Sequence, residues 1–311
     1  MHPFLTLSSR EPYPPHLHGA IVALGNFDGF HLGHQAVVGE ALRWGQEEGR
    51  PTVVATFDPH PKRFFMPDAP WFRLTTLEQR AEMFARFGAD AMLVIAFDAE
   101  VAALSGAEWI RTFLHEQLGA AGVVTGQDFT FGRRRSGTTA VLAEENFRFG
   151  IGSCAVPPVL DEGAPVSSTR IRAALEAGDC ATATRLMTRP FTIRGVVQHG
   201  DKLGRTIGFP TANLPLSNYL RPRYGIYAVR GRLPGGRMVN GAANIGIRPT
   251  FDPPKELLEP YFFDFSGDLY GQEIEVEFHH FLRPEARFDS LDALVAQMEK
   301  DCARARELLA W

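Results

Sequence analysis

The stretch Ile21-Val22-Ala23-Leu24-Gly25-Asn26-Phe27-Asp28-Gly29-Phe30-His31-Leu32-Gly33-His34 runs from a four-residue apolar segment through a glycine-rich turn into a segment of helical period. Strand, tight turn and helix in that order open a βαβ unit. Outward from it, apolar runs at residues 52–57, 92–97, 122–125 and 154–156 alternate with helical periodicity near 32–46, 77–87, 107–117 and 169–177. This alternation predicts an α/β domain built on a parallel sheet, spanning residues 1–186.

The texture changes after Arg189-Pro190. Short β-rich segments at 191–198, 226–232, 238–247 and 273–281 are separated by Gly and Pro, which predicts a small antiparallel β-barrel. Leu291, Leu294, Val295, Met298, Cys302, Ala305 and Leu309 follow helical spacing, with Asp289 or Ser290 available as the cap, so a helix is expected to close the chain. The boundary is expected between residues 184 and 190, giving a second domain at 187–311. A chain of 311 residues is long enough for two cores.

Composition narrows the function. With 32 basic and 36 acidic residues the net charge is -4, far from the basic footprint of a nucleic-acid binder. Small anionic ligands must therefore be held by local groups, and no nucleic-acid or membrane partner is expected. Cys154, Cys180 and Cys302 are widely separated, which argues against a disulfide framework or a zinc cluster and favours a reducing, cytoplasmic setting. The first 24 residues lack the order of a secretory signal, and the longest apolar runs fall far short of the roughly 20 residues that cross a bilayer.

Chemistry concentrates in two places. In the opening turn, glycines at 25, 29 and 33 let a ligand approach the backbone, and the helix start offers N–H groups and a positive dipole end to a phosphate. His31 and His34, three residues apart, can point together at that phosphate. A plain glycine turn with surface histidines is the bland alternative, and a metal pair lacks a third ligand. Later, Ser167-Ser168-Thr169-Arg170-Ile171-Arg172 opens another predicted helix with three hydroxyls and two arginines, either a polyphosphate clamp or an ordinary N-cap. Arg133, Arg134 and Arg135 face phosphates or solvent.

The second place is Gly200-Asp201-Lys202-Leu203-Gly204-Arg205-Thr206-Ile207-Gly208-Phe209-Pro210-Thr211-Ala212-Asn213. Its glycine spacing fails the P-loop pattern, and Arg205 stands where that pattern needs lysine. A loop folding over phosphates by backbone donors remains available. Thr211 and Asn213 supply hard oxygens that suit a Mg²⁺ ion bridging ATP phosphates.

Taken together, His31-Leu32-Gly33-His34 and Ser167-Ser168-Thr169-Arg170-Ile171-Arg172 resemble the two signatures of the nucleotidylyltransferase superfamily. Phe57-Asp58-Pro59-His60-Pro61 and Gly126-Gln127-Asp128-Phe129-Thr130-Phe131-Gly132 resemble intermediate motifs of its bacterial FAD synthetase branch. Gly204-Arg205-Thr206-Ile207-Gly208-Phe209-Pro210-Thr211-Ala212-Asn213 resembles the riboflavin kinase signature. Tyr224-Gly225-Ile226-Tyr227-Ala228, Asn244-Ile245-Gly246, Pro249-Thr250-Phe251, Asp268-Leu269-Tyr270-Gly271 and Phe281-Leu282-Arg283-Pro284-Glu285 follow in order. Nearly the whole chain resembles the bifunctional riboflavin kinase/FAD synthetase family.

That resemblance implies a Rossmann-like N-terminal domain that adenylylates FMN and a C-terminal barrel that phosphorylates riboflavin, each with ATP. It implies that His31, His34 and Arg172 act on phosphates, and that Gly25, Asn26, Phe27, Asp28, Gly33, His60, Asp128, Ser167, Ser168 and Thr169 line the first nucleotide and flavin site. Gly204, Arg205, Phe209, Pro210 and Arg283 would line the second, Thr211 and Asn213 would hold Mg²⁺, and Glu259 would be the base on the ribityl hydroxyl. Glu256 is a nearby competitor for that role. The family usually has Thr or Val and then His after the glutamate; here Pro260 and Tyr261 follow. Proline removes a donor, so the strand carrying Glu259 is expected to start later or to bend. A chain with one activity and a flavin-binding barrel, a flavin-sensing protein without turnover, and a nucleotidylyltransferase for another acceptor are the rivals.

Overall fold

The computed structural model describes residues 3–199, 208–248 and 255–310. It divides into two compact units, residues Met1–Pro70 with Thr75–Ser167, and Trp71–Leu74 with Ser168–Trp311.

The first unit carries β1 (Leu5–Ser8), β2 (Ile21–Leu24), α1 (Leu32–Glu48), β3 (Thr52–Asp58), α2 (Pro61–Phe65), α3 (Leu77–Phe87) and β4 (Ala91–Ala96). There follow α4 (Ala99–Ala103), α5 (Gly106–Trp109) running into a π-helical segment at Ile110–Gln117, β5 (Gly122–Gly126), α6 (Thr139–Arg148), β6 (Gly152–Val156) and a small ribbon of β7 (Leu160–Asp161) and β8 (Ala164–Pro165). The six long strands form one parallel sheet in the order β1-β4-β3-β2-β5-β6. β2 is buried throughout, as a central parallel strand covered on both faces must be. Gly122 and Gly152 leave room for the Trp44 ring, which a side chain at either position would strike. α3 starts on a capping box of Thr76 and Gln79 and ends at Gly88, whose φ of 107° suits a left-handed cap. The chain winds from β2 toward β3 and β4, then resumes on the other side with β5. The strand order therefore reverses beside β2, where open sheets of this kind bind ligands.

In the second unit, α7 (Ser168–Ala177) and α8 (Cys180–Met187) precede a six-stranded antiparallel sheet. It comprises β9 (Phe191–Val196), β10 (Leu214–Pro215), β11 (Gly225–Arg232), β12 (Met238–Arg248), β13 (Lys255–Phe262) and β14 (Glu273–Arg283), in the order β10-β13-β12-β11-β14-β9. The Gln198 N–H donates to the Asn213 carbonyl at 2.8 Å, a bridge that brings the two edges together and nearly closes the barrel. The last helix, α9 (Leu291–Leu309), is capped by Ser290. It packs Ala305 and Leu309 with Ala228, Ala242 and Phe263.

Two differences from the sequence reading have local causes. β1 lies in a stretch read without secondary structure; four residues beside β4 are too few for a periodic signal. Within the second compact unit α7 and α8 pack with the barrel: the Arg223 N–H donates to the Leu175 carbonyl at 2.9 Å, and a Cβ at Gly178 would lie 3.0 Å from the Phe281 ring. The strand carrying Glu259 starts before it and runs on through Pro260 in unbroken pairing with β12. The Pro260 carbonyl accepts from the Ala212 N–H at 2.9 Å, so the proline nitrogen faces the short edge strand β10 and the β12 ladder loses nothing.

Candidate functional site

The glycine-rich turn leaves the carboxyl end of β2, where the Gly25 N–H still donates to Ala55 at 3.1 Å. Phe27 (φ 49°) and Phe30 (φ 37°) then take left-handed backbone, unfavourable for residues of this size unless packing enforces it. Packing does. The Phe27 ring, buried, meets Phe84 at 5.8 Å and the edge of His34 at 5.2 Å between centroids. Asp28 Oδ1, also buried, accepts from the Thr75 N–H (3.0 Å) and hydroxyl (3.2 Å), while Thr75 Oγ1 accepts from the Gly29 N–H at 3.0 Å. The Asn26 carbonyl accepts from the Thr56 hydroxyl (2.9 Å) and from Arg80 Nη1 (3.0 Å). Asn26 Oδ1 is buried without a hydrogen-bond partner among the described residues.

His31 caps α1, its Nδ1 accepting from the His34 N–H at 3.4 Å. That bond leaves Nε2 as its remaining donor. The two imidazoles stack at 3.6 Å and 19°, so the structure joins the pair that the spacing suggested. A Cβ on Gly33 would sit 3.2 Å from His31 Cε1 and 3.5 Å from the Val166 carbonyl, which brings the residue preceding Ser167 to the same turn. His60 and Asp128 stand beyond the carboxyl ends of β3 and β5, the two strands that flank β2. His60 Nδ1 accepts from the Lys62 N–H at 3.1 Å, and Asp128 is exposed beside Gly126. Three motif turns thus share one edge of the sheet. Among the described residues, no group of three or more His, Cys, Asp or Glu side chains is placed to hold a metal ion.

Ser168, Thr169 and Arg172 open α7 in the second unit. Arg172 Nε donates to the Phe72 carbonyl at 2.8 Å, and its guanidinium lies 5.2 Å from the Phe72 ring centre.

In the barrel, Leu214, Leu258 and Ile245 form a fully buried row across three strands. Neighbouring residues point to opposite faces, so Asn213, Glu259 and Asn244 form a parallel row on the outer face. The pairing of Leu214 with Leu258 and the Ala212–Pro260 bond set Asn213 opposite Glu259, and Asn244 faces Glu259 from the other side. Thr211 and Asn213 are both half-buried, while Ala212 and Leu214 between and after them are buried, so the two polar residues share that outer face. The Phe209 ring meets Tyr261 at 5.2 Å along the same row, and Pro210 is exposed beside it. Arg283 is held by Asp301 of α9, at 3.0 Å from Nε and 2.7 Å from Nη2, and covers Phe288. Gly204, Arg205 and the Pro249-Thr250-Phe251 motif lie outside the described residues.

Arg80 and Asn244 were not singled out from sequence as site residues. Arg80 had a signal: it stands between Leu77, Ala81 and Phe84 on the apolar face of α3, an anomalous place for a guanidinium unless it serves a buried acceptor.

Residues 13–170 match the family model described as FAD synthetase, and residues 187–309 match the one described as riboflavin kinase. The bifunctional riboflavin kinase/FMN adenylyltransferase of Escherichia coli K12 is 38% identical over 289 residues, covering 93% of this chain and 92% of its own. That of Pseudomonas fluorescens is 40% identical over 297 residues, 95% of each chain. A crystal structure named as a macrolide-efflux protein from Streptococcus pneumoniae shares the fold with a TM-score of 0.87 and 32% identity, over 98% of this chain and 99% of that one. Among the described residues of this chain, no helix is long and apolar enough to cross a membrane. Two family matches in tandem, with relatives alike over almost the full length of both chains, leave one conclusion: the chain belongs to the bifunctional riboflavin kinase/FMN adenylyltransferase family.

Proposed function

We propose that the chain makes FAD from riboflavin in two ATP-dependent steps, FMN formation in residues 187–311 and adenylylation of FMN in residues 1–186. The observation that carries the kinase half is the row Asn213, Glu259, Asn244, which joins a carboxylate base to amide groups on one outer barrel face. Glu259 takes the proton of the terminal ribityl hydroxyl as that oxygen attacks the γ-phosphorus of ATP, and ADP leaves. Thr211 and Asn213 supply a hydroxyl and an amide oxygen beside that carboxylate, a hard donor set that fits Mg²⁺. When bound, the ion offsets charge on the ATP phosphates. Gly204, Arg205, Pro210 and Arg283 complete the nucleotide side, and the Phe209–Tyr261 pair offers the flavin an aromatic wall.

In the first unit an FMN phosphate oxygen attacks the α-phosphorus of ATP and pyrophosphate leaves, with no protein nucleophile. His31 and His34 at the start of α1, with Ser167, stabilise charge on the phosphate oxygens, and the family resemblance gives Ser168, Thr169 and Arg172 a role toward ATP in the same reaction. Gly25, Asn26, Phe27, Asp28 and Gly33 shape the turn, and the buried Asn26 Oδ1 is an acceptor suited to a ligand donor. His60 and Asp128 flank it. Three unpaired cysteines suit a reducing compartment, the cytoplasm.

Incubating the purified protein with riboflavin, ATP and Mg²⁺ and separating flavins by chromatography tests the scheme. FMN should appear first and FAD follow, with pyrophosphate released only in the second step. Turnover of neither flavin would overturn it.

A further inference from the structure

Asn244 on β12 lies directly opposite Glu259 on β13, so the two side chains share one face. Its amide is fixed at one end, where Nδ2 donates to Glu285 Oε1 at 3.4 Å. The Glu285 carboxylate reaches it by lying over Gly246, two residues along the same face, where a Cβ would collide with the carboxylate oxygens. Glycine at that position is therefore what lets Glu285 approach Asn244. With Nδ2 engaged, Oδ1 is turned the other way. That oxygen is buried and has no hydrogen-bond partner among the described residues. Buried amide oxygens are almost always satisfied, so one kept without a donor next to a proposed base calls for a donor that arrives with the substrate.

Riboflavin brings such donors. Its ribityl tail carries hydroxyls on successive carbons, and the terminal one must face Glu259 to surrender its proton. Opposed residues of an antiparallel pair hold their Cβ atoms about 5 Å apart, a spacing that lets neighbouring hydroxyls of one polyol chain meet a carboxylate and an amide. Resting on the kinase reading above, we propose that Asn244 Oδ1 accepts a hydrogen bond from the ribityl hydroxyl next to the attacking one, and that Glu285 is a positioning residue which holds the amide in that orientation. The pair then selects for a hydroxylated tail as well as placing it.

The test compares riboflavin with its 4′-deoxy analogue, measuring kcat and KM for wild type, Asn244→Ala, Glu285→Ala and Glu285→Gln. FAD formation from supplied FMN is followed on every variant as a control for folding. Wild type should use the analogue with a kcat/KM about tenfold lower, the size of one hydrogen bond. Asn244→Ala should lose about tenfold on riboflavin and little more on the analogue, because the partner is already missing. Glu285→Ala should follow the same pattern, and Glu285→Gln, which keeps an acceptor oxygen for Nδ2, should recover to within about twofold of wild type. Equal losses on both substrates, or no loss on riboflavin, would overturn the assignment while leaving the kinase reading intact. A wild-type protein that makes FAD from FMN yet no FMN from riboflavin would remove the kinase reading and this inference with it.

Discussion

Glu256 and Glu259 stand three residues apart on one strand, and their neighbours give them different work. Glu256 lies 2.8 Å from Arg221 and accepts the Tyr224 hydroxyl. Burial pushes its carboxyl up, but the bonds from Arg221 and Tyr224 outweigh that and hold it below the usual range, as suits a fixed anion. Burial, with the Glu256 contact added to it, pushes the Tyr224 hydroxyl up to about 12. Glu259, on the opposite face, shares its cross-strand row with Asn213 and Asn244. Glu259→Ala should abolish FMN formation and leave conversion of supplied FMN to FAD unchanged; equal loss of both in paired assays would contradict separate sites. Arg80 gives the reciprocal case. Its Nη1 binds both the Asn26 carbonyl and the Thr56 hydroxyl, so Arg80→Met should loosen the turn before His31. FAD synthesis should fall at least about tenfold, on the scale of one charged hydrogen bond, with riboflavin phosphorylation retained.

At the scale of elements, regular structure was legible where period and punctuation agreed. β2 and α3 lie where the apolar run before Gly25 and the helical period near residues 77–87 put them, and the Thr76–Gln79 capping box fixes where α3 starts. The β13 strand was obscured by its proline, since what makes Pro260 tolerable is the direction its nitrogen faces, and that depends on a partner strand many residues away. The stacking of His31 on His34 was foreshadowed by spacing, whereas the Thr75 and Thr56 contacts that hold the turn are long-range and carry no local signal. Arg283 shows a further tertiary effect: read as a ligand contact, it also clamps α9 through Asp301, with side-chain exposures of 20% and 8%. Asp301→Ala would leave a largely buried guanidinium without its partner. It should destabilise the barrel unit by about 3 kcal/mol, measurable as a lower denaturant midpoint for loss of kinase activity. An unchanged midpoint would show that α9 is held by its apolar face alone.

At the scale of the molecule, the presence of an α/β fold and a barrel was readable from the change of texture at Arg189-Pro190, while the packing of α7 and α8 on the barrel is tertiary, since both helices carry ordinary amphipathic patterns. Thiols can report on it. Burial pushes Cys180 up to about 12 and Cys302 up to about 11, so at pH 8 both are overwhelmingly protonated and slow to alkylate. Labelling of Cys302 in the folded protein should rise about tenfold per unit between pH 8 and 10, as its thiolate fraction does. In a denaturant series read by mass spectrometry, Cys180 of α8 and Cys302 of α9 should become reactive together; release of Cys180 first would detach α8 from the barrel. The barrel is brought nearly shut by the Gln198–Asn213 bridge, next to the edge strand toward which Pro260 of β13 offers no N–H, and Asn213 is also the proposed Mg²⁺ ligand. Phosphorylation of riboflavin therefore serves as a gauge of ring closure: gentle warming that springs this join should silence the kinase while most of the β circular dichroism signal still stands.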